Sequence, residues 1–197
     1  EEVELNPRKH LLDSQNPSVQ MTLDGKVASP EKKGKIKQID LPFKTSILKR
    51  RTQWDKLFNG FKKMRAVSFV VQPAFLLEYF DKRGYESIEL LVGKGLTEQY
   101  KDKMIDTKWQ TINQLHSKID SDELVLWGTK DLVHSKLYIL ENNDFTRVIT
   151  GSPNLSYKAS GSGQTEFVIY WDLYPELPDH RSALDEFETQ YSGHFNN

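Results

Sequence analysis

Between Trp54 and Trp171 the sequence is divided into short apolar runs separated by Gly, Asn, Asp or Pro turns, and the runs alternate between helical and strand periodicity. Trp54, Leu57, Phe58 and Phe61 fall on one helical stripe, with Lys56, Lys62 and Lys63 largely off it. Ala66 to Val71 is expected to be a buried strand and Pro73 to Phe80 a helix opened by its proline. Ser87 to Val92 follows as a strand, and Thr97 to about Leu115 as a helix. Four further runs read as strands: Glu123 to Trp127, Val133 to Leu140, Arg147 to Thr150 and Glu166 to Trp171. Ala183, Leu184, Phe187 and Tyr191 then mark a closing amphipathic helix. This order predicts an α/β domain, a mixed β-sheet flanked by helices on both faces.

Composition narrows the classes. At 197 residues the chain can build one domain with a substantial core. No apolar run reaches the roughly 18 to 20 residues that a spanning helix needs, so no membrane partner is expected. Cysteine is absent, which removes disulfides, thiolate metal sites and a cysteine nucleophile, and is compatible with a cytoplasmic location. The chain opens Glu1-Glu2-Val3 with no basic-then-apolar leader, as expected of a processed or excised segment. Residues 1–40 are polar and basic-leaning, with Pro7, Pro17 and Pro30 and no apolar period. They read as an arm or linker ahead of a domain at 41–197. Charge is asymmetric: residues 1–65 carry 15 Lys and Arg against 8 Asp and Glu, the remainder 12 against 20. Lys44, Lys49, Arg50, Arg51, Lys62, Lys63 and Arg65 form a basic tract just ahead of the core, where a polyanion would be met most favourably.

The most informative stretch runs from Val133 to Glu141 and resumes nine residues later at Gly151-Ser152-Pro153-Asn154. On a strand, residues two apart share a face, so His134 and Lys136 should project together while Glu141 faces away. Ser152 and Pro153 suit the N-cap and first position of a helix, whose N-terminus would offer backbone N–H groups to an anion. An imidazole, an ammonium and an amide converging on a helix start describe a phosphate site. His116-Ser117-Lys118 repeats the triplet eighteen residues earlier, but it lacks the downstream partner and falls near a helix end, where it reads as ordinary surface. Gly93-Lys94-Gly95 lacks the rest of a phosphate-loop pattern and reads as a turn.

Taken together, His134, Lys136, Glu141 and Gly151 to Asn154 resemble the signature of the phospholipase D superfamily, in the form of a single-motif, nuclease-like member. The signature is His-x-Lys, an acidic residue after four intervening positions, and then Gly-Ser-x-Asn. Two departures are visible: Glu141 stands where Asp is usual, and the spacing to Gly151 is longer. The resemblance implies a phospholipase D-like fold and metal-independent phosphodiester hydrolysis with no cofactor. In that chemistry His134 is the nucleophile that forms a phosphohistidine, and Lys136, Asn154 and Ser152 hold the phosphoryl oxygens. Glu166, on the downstream strand, would orient His134. A second histidine must protonate the leaving oxygen, and with one motif per chain the resemblance implies a homodimer that brings two His134 side chains together. It favours nucleic acid as substrate, DNA ahead of RNA, with endonuclease action and a place in a larger restriction- or helicase-type protein among its implications. Two rival readings stay open: a phospholipase acting on lipid head groups, and a non-catalytic nucleic-acid-binding module that keeps the fold.

Overall fold

The structure is a computed structural model that describes residues 41–93, 109–129, 132–161 and 163–196. The arm expected over residues 1–40 and the first part of the helix expected from Thr97 lie outside the described residues. In chain order the described elements are β1 (Lys44–Leu48), α1 (Arg51–Phe58), β2 (Lys63–Ser68), α2 (Pro73–Asp81), β3 (Ser87–Val92), α3 (Trp109–Asp120), β4 (Leu124–Gly128), β5 (Leu137–Glu141), β6 (Thr146–Gly151), β7 (Glu166–Leu173) and α4 (Pro178–Gly193).

The strands form one seven-stranded sheet in the order β1-β7-β6-β5-β2-β3-β4. β2, β3 and β4 run parallel, as βαβ crossovers require, and the other neighbours are antiparallel. The sheet is therefore mixed, with apolar cores on both faces. On one face Trp54 and Phe58 of α1, Phe75 and Tyr79 of α2 and Leu115 of α3 pack on Ala66, Leu90, Tyr138 and Leu140. On the other, Ala183, Leu184, Phe187 and Tyr191 of α4 cover Val67, Leu91, Ile139 and Val148. Burial on two sides explains why Leu137, Tyr138, Ile139 and Leu140 form an unbroken apolar run instead of alternating with polar residues.

β1 was not expected from the sequence. Of its five residues only Leu48 is buried, and Ile47 is 51% exposed, so no apolar period marks it. An antiparallel ladder to β7 holds it at the sheet edge, reinforced by Lys44 Nζ at 2.8 Å from Asp172, which also receives Arg147 Nε at 2.6 Å. These paired cations keep the Asp172 carboxyl below the usual carboxylate range against an opposing effect of burial.

Candidate active site

One end of the sheet gathers the residues that the motif singled out, Glu141 excepted. Because β5 is antiparallel to β2 and β6, and β6 to β7, the pairs Val67 with Leu137, Leu137 with Thr150, and Gly151 with Val168 bring four strand ends together. They are the close of β2, the approach to β5, the close of β6 and the start of β7. An open end of this kind, with loops leaving parallel strands, is where α/β sheets place ligands.

The expected strand from Val133 begins later, at Leu137, and residues 132–136 form an irregular extended approach to it. Gly93, after β3, explains its path. Val133 N–H donates to Gly93 O at 3.0 Å, and a Cβ on Gly93 would lie 1.8 Å from Val133 O, so only glycine admits this crossing. The glycine read as a turn residue is thus a close-approach residue next to His134.

His134 and Lys136 lie together as expected, although through direct contact in an irregular segment and not through strand parity. Lys136 Nζ donates to His134 O at 2.7 Å and lies 2.9 Å from His134 Nδ1. Nζ also lies 3.4 Å from Nε2; an ammonium has no lone pair, so a ring nitrogen is the acceptor, and Nδ1 is the nearer one. Phe69, just past β2, lies with its ring centroid 4.6 Å from that of His134 at a tilt of 45°, and its ring also lies 5.6 Å from Lys136 Nζ. His134 is exposed, whereas Lys136 is buried, and burial lowers its pKa below the ordinary lysine range while the Glu166 charge acts in the opposite direction.

Ser152 and Glu166 form the facing wall. Ser152 Oγ donates to Glu166 Oε2 and accepts from Phe167 N–H at 3.0 Å, while Ser152 N–H donates to Phe167 O at 3.0 Å. Glu166 is buried and engages Ser152; among the described residues it makes no hydrogen bond to His134. The expected orienting contact from Glu166 to His134 is therefore absent within one chain.

Asn154 is held differently from the expectation as well. Its Oδ1 accepts from Val70 N–H at 3.1 Å, alongside the bridge between Val71 and Leu155 and the bond from Leu155 N–H to Ser68 Oγ at 3.1 Å. These contacts seat residues 153–155 as an extended segment beside β2, and turns, not a helix, follow at 157–161. The expected helix N-terminus at Ser152 and Pro153 is thus replaced by a strand-like edge, because the backbone groups a helix would use are bound to residues 68–72. Tyr138 OH donates to Pro153 O at 2.6 Å and pins the same segment from below.

Glu141 lies on the opposite face, bonded to Arg65 at 2.6 Å, with Arg65 also paired to Glu188 of α4. It joins the sheet to α4 and has no place at the site. The His116 triplet lies on α3, where Lys118 pairs with Glu123 at 2.6 Å. The basic tract is less available than its composition suggested. Lys44, Arg51, Lys62 and Arg65 are each matched to a carboxylate that the fold brings alongside, which leaves Lys49, Arg50 and Lys63 exposed and without an ion pair among the described residues.

An open cavity of about 610 Å³ adjoins the site, with His134, Lys136 and Ser152 on one side and Phe187, Gln190 and His194 on the other. Sequence reading missed Phe69, Val70 and the residues from the end of α4. Nothing local marks them, since each acquires its role through strand pairing or helix docking. Among the described residues no group of three or more His, Cys, Asp or Glu is placed to hold a metal ion, and no helix is long and apolar enough to cross a membrane.

No family model and no curated protein matches the sequence. Solved structures do. Yeast tyrosyl-DNA phosphodiesterase 1, in a mutant form, is similar over 68% of this chain and 33% of its own, at 18% identity and a TM-score of 0.48, so the chain spans about a third of that enzyme. Nuc from Salmonella typhimurium, a phospholipase D family member, is similar over 77% of this chain and 95% of its own, at 17% identity and a TM-score of 0.42. NucT from Helicobacter pylori is similar over 75% and 95%, at 14% identity and a TM-score of 0.43.

Proposed function

We propose that this chain is a metal-independent, cytoplasmic phosphodiesterase of the phospholipase D type, hydrolysing nucleic acid, DNA ahead of RNA. Residues 41–197 act as the catalytic domain and residues 1–40 as a basic-leaning arm. The observation that carries the reading is the buried ammonium of Lys136 bound to an exposed His134, at a strand-end cavity that Ser152 also lines. Among the described residues Lys136 has no carboxylate in hydrogen-bond contact, and a buried cation so placed is costly unless an anion arrives to use it.

The chemistry follows from those positions. An entering phosphate draws Lys136 Nζ onto a non-bridging oxygen and releases the His134 ring. A ring nitrogen of His134 then attacks phosphorus as the bond to the leaving oxygen breaks. Lys136 and the Asn154 amide N–H balance charge on the phosphoryl oxygens, and Ser152 joins them once its hydroxyl proton turns from Glu166 to the entering phosphate. Water attacks the phosphohistidine in the second step, returning His134 and a phosphate monoester. The leaving oxygen needs a proton, and we assign it to His134 of a second copy in a homodimer. Exposed Leu132, beside His134, supplies apolar surface at that rim.

Purified protein in excess EDTA is expected to cleave DNA in preference to phosphatidylcholine and to form an acid-labile, base-stable phosphate adduct on the peptide containing His134. Activity only with added magnesium, or turnover without the adduct, contradicts the mechanism. The pH profile supplies a separate check. Burial already lowers the Lys136 pKa and Glu166 raises it, so Glu166→Gln removes the raising charge and the ammonium is lost at a still lower pH. The alkaline limb of kcat/KM is expected to move to lower pH in that variant; an upward movement would show that Lys136 does not set the limb.

A further inference from the structure

The cavity extends past the phosphate-binding residues onto the α4 face of the sheet, and the lining there has a composition of its own. Phe167 is 49% exposed at the start of β7, on the face where Trp171 and Leu173 are packed under α4. Trp171 lies 5.0 Å from Phe187 of α4, so the helix covers the later part of β7 and leaves its first ring open to the cavity. An exposed phenyl ring adds little to folding, yet its backbone is clamped by the two Ser152 hydrogen bonds of 3.0 Å. Gly151 allows that clamp, since a Cβ there would lie 2.2 Å from Phe167 O. A flat aromatic surface is thereby fixed beside the phosphate-binding side chains.

The polar groups that line the same cavity are chemically selective. His194 Nδ1 lies 2.7 Å from Gln190 O, a contact in which the ring N–H must donate, which leaves Nε2 as the nitrogen open to a ligand. Gln190 contributes an amide whose only contact among the described residues is a long one, 3.4 Å to Glu186. Among the described residues no Asp or Glu side chain lines the cavity. A cationic choline or ethanolamine head group would find no counter-charge there, whereas a nucleobase needs a stacking surface together with donors and acceptors along its edge.

We propose that Phe167, Gln190 and His194 form a nucleoside subsite, in which the base flanking the scissile phosphate stacks on Phe167 and meets the two polar side chains at its edge. This rests on the phosphodiesterase reading above and sharpens it, because a base can reach this wall only when it is unstacked from its neighbours. The substrate class is therefore single-stranded nucleic acid.

The test uses the full chain with two oligonucleotides of the same length, one of thymidylates and one carrying abasic residues on an identical backbone. Wild type is expected to show a kcat/KM ratio of about 10 to 100 in favour of the base-bearing strand, the range of aromatic–base stacking. Phe167→Ala brings the ratio toward one, and Phe167→Trp preserves it. A ratio that stays unchanged in Phe167→Ala, including an equal fall on both strands, overturns the subsite. So does faster hydrolysis of phosphatidylcholine than of either strand. Should wild type cleave neither strand in EDTA, the catalytic reading fails on its own account. Fluorescence anisotropy with the same two oligonucleotides still decides the subsite: base-dependent binding lost in Phe167→Ala sustains it, and equal binding of both strands by wild type overturns it.

Discussion

Replacing His134 by alanine is expected to lower metal-independent phosphodiester hydrolysis by about 10³-fold or more, the scale seen when a covalent nucleophile is removed. The fold should not follow. His134 is exposed, lies ahead of β5, and contributes one ring contact, to Phe69 at 4.6 Å, so thermal stability should change by no more than about 0.5 kcal/mol. Lys136 loses the ring nitrogen but keeps its bond to the residue-134 carbonyl at 2.7 Å, which an alanine backbone supplies equally well. The variant is therefore expected to melt with wild type while the adduct and the turnover both disappear. His116→Ala is the matched control from the repeated triplet, and it should turn over like wild type because α3 carries no group of the cavity wall. Comparable rates for wild type and His134→Ala, measured in EDTA, would remove the nucleophile from the scheme.

The contrast between His134 and His116 also marks where sequence reading succeeds. Period-two spacing placed Tyr138 on one face and Glu141 on the other, and β5 has that arrangement, because pleating is a local property of the backbone; His134 and Lys136 lie in the irregular segment ahead of β5, where a direct side-chain contact brings them together. The sheet with helices on both faces was legible for the same reason: amphipathic stripes and fully apolar runs follow from burial alone. What escaped depended on partners distant in sequence. β1 owes its place to a ladder with β7 and to Asp172, and its own residues carry no apolar period. Ser152-Pro153 carried a helix-start signal that local chemistry supports, but Val70 N–H and Ser68 Oγ bind residues 154 and 155 and hold that segment extended. Glu166 was expected beside His134, yet strand register sets it against Ser152. Lys44, Arg51, Lys62 and Arg65 of the basic tract are matched by Glu78, Glu86, Glu141, Glu188 and Asp172, which converge on them only after folding, so sequence alone could not separate these four from Lys49, Arg50 and Lys63.

Gly93→Ala is expected to separate stability from catalysis at this site. The new methyl would lie 1.8 Å from Val133 O and 2.8 Å from Val133 C, both backbone atoms, so no side-chain rotation can relieve the overlap. Either the end of β3 or the residue 132–136 segment must move by more than about 1 Å to restore ordinary contact. The end of β3 is held by Gly93 N–H donating to Ser68 O at 3.0 Å and by parallel pairing on both sides of the strand. The irregular segment has no ladder of its own before Leu137, so it is the part that yields, and His134 moves with it. A stability loss of about 1 to 3 kcal/mol is expected, together with a fall of about 10²-fold in kcat/KM for protein that remains folded, the cost of a reacting group misplaced by about 1 Å. Gly84→Ala calibrates the effect. Gly84 sits at φ +72° with nothing within 4 Å of an added Cβ, so alanine there costs about 1 to 2 kcal/mol of backbone strain and displaces no residue of the site. The two variants should therefore melt at comparably lowered temperatures, while only Gly93→Ala loses turnover per folded molecule. Equal kcat/KM in both would mean that the Val133 crossing does not fix the position of His134.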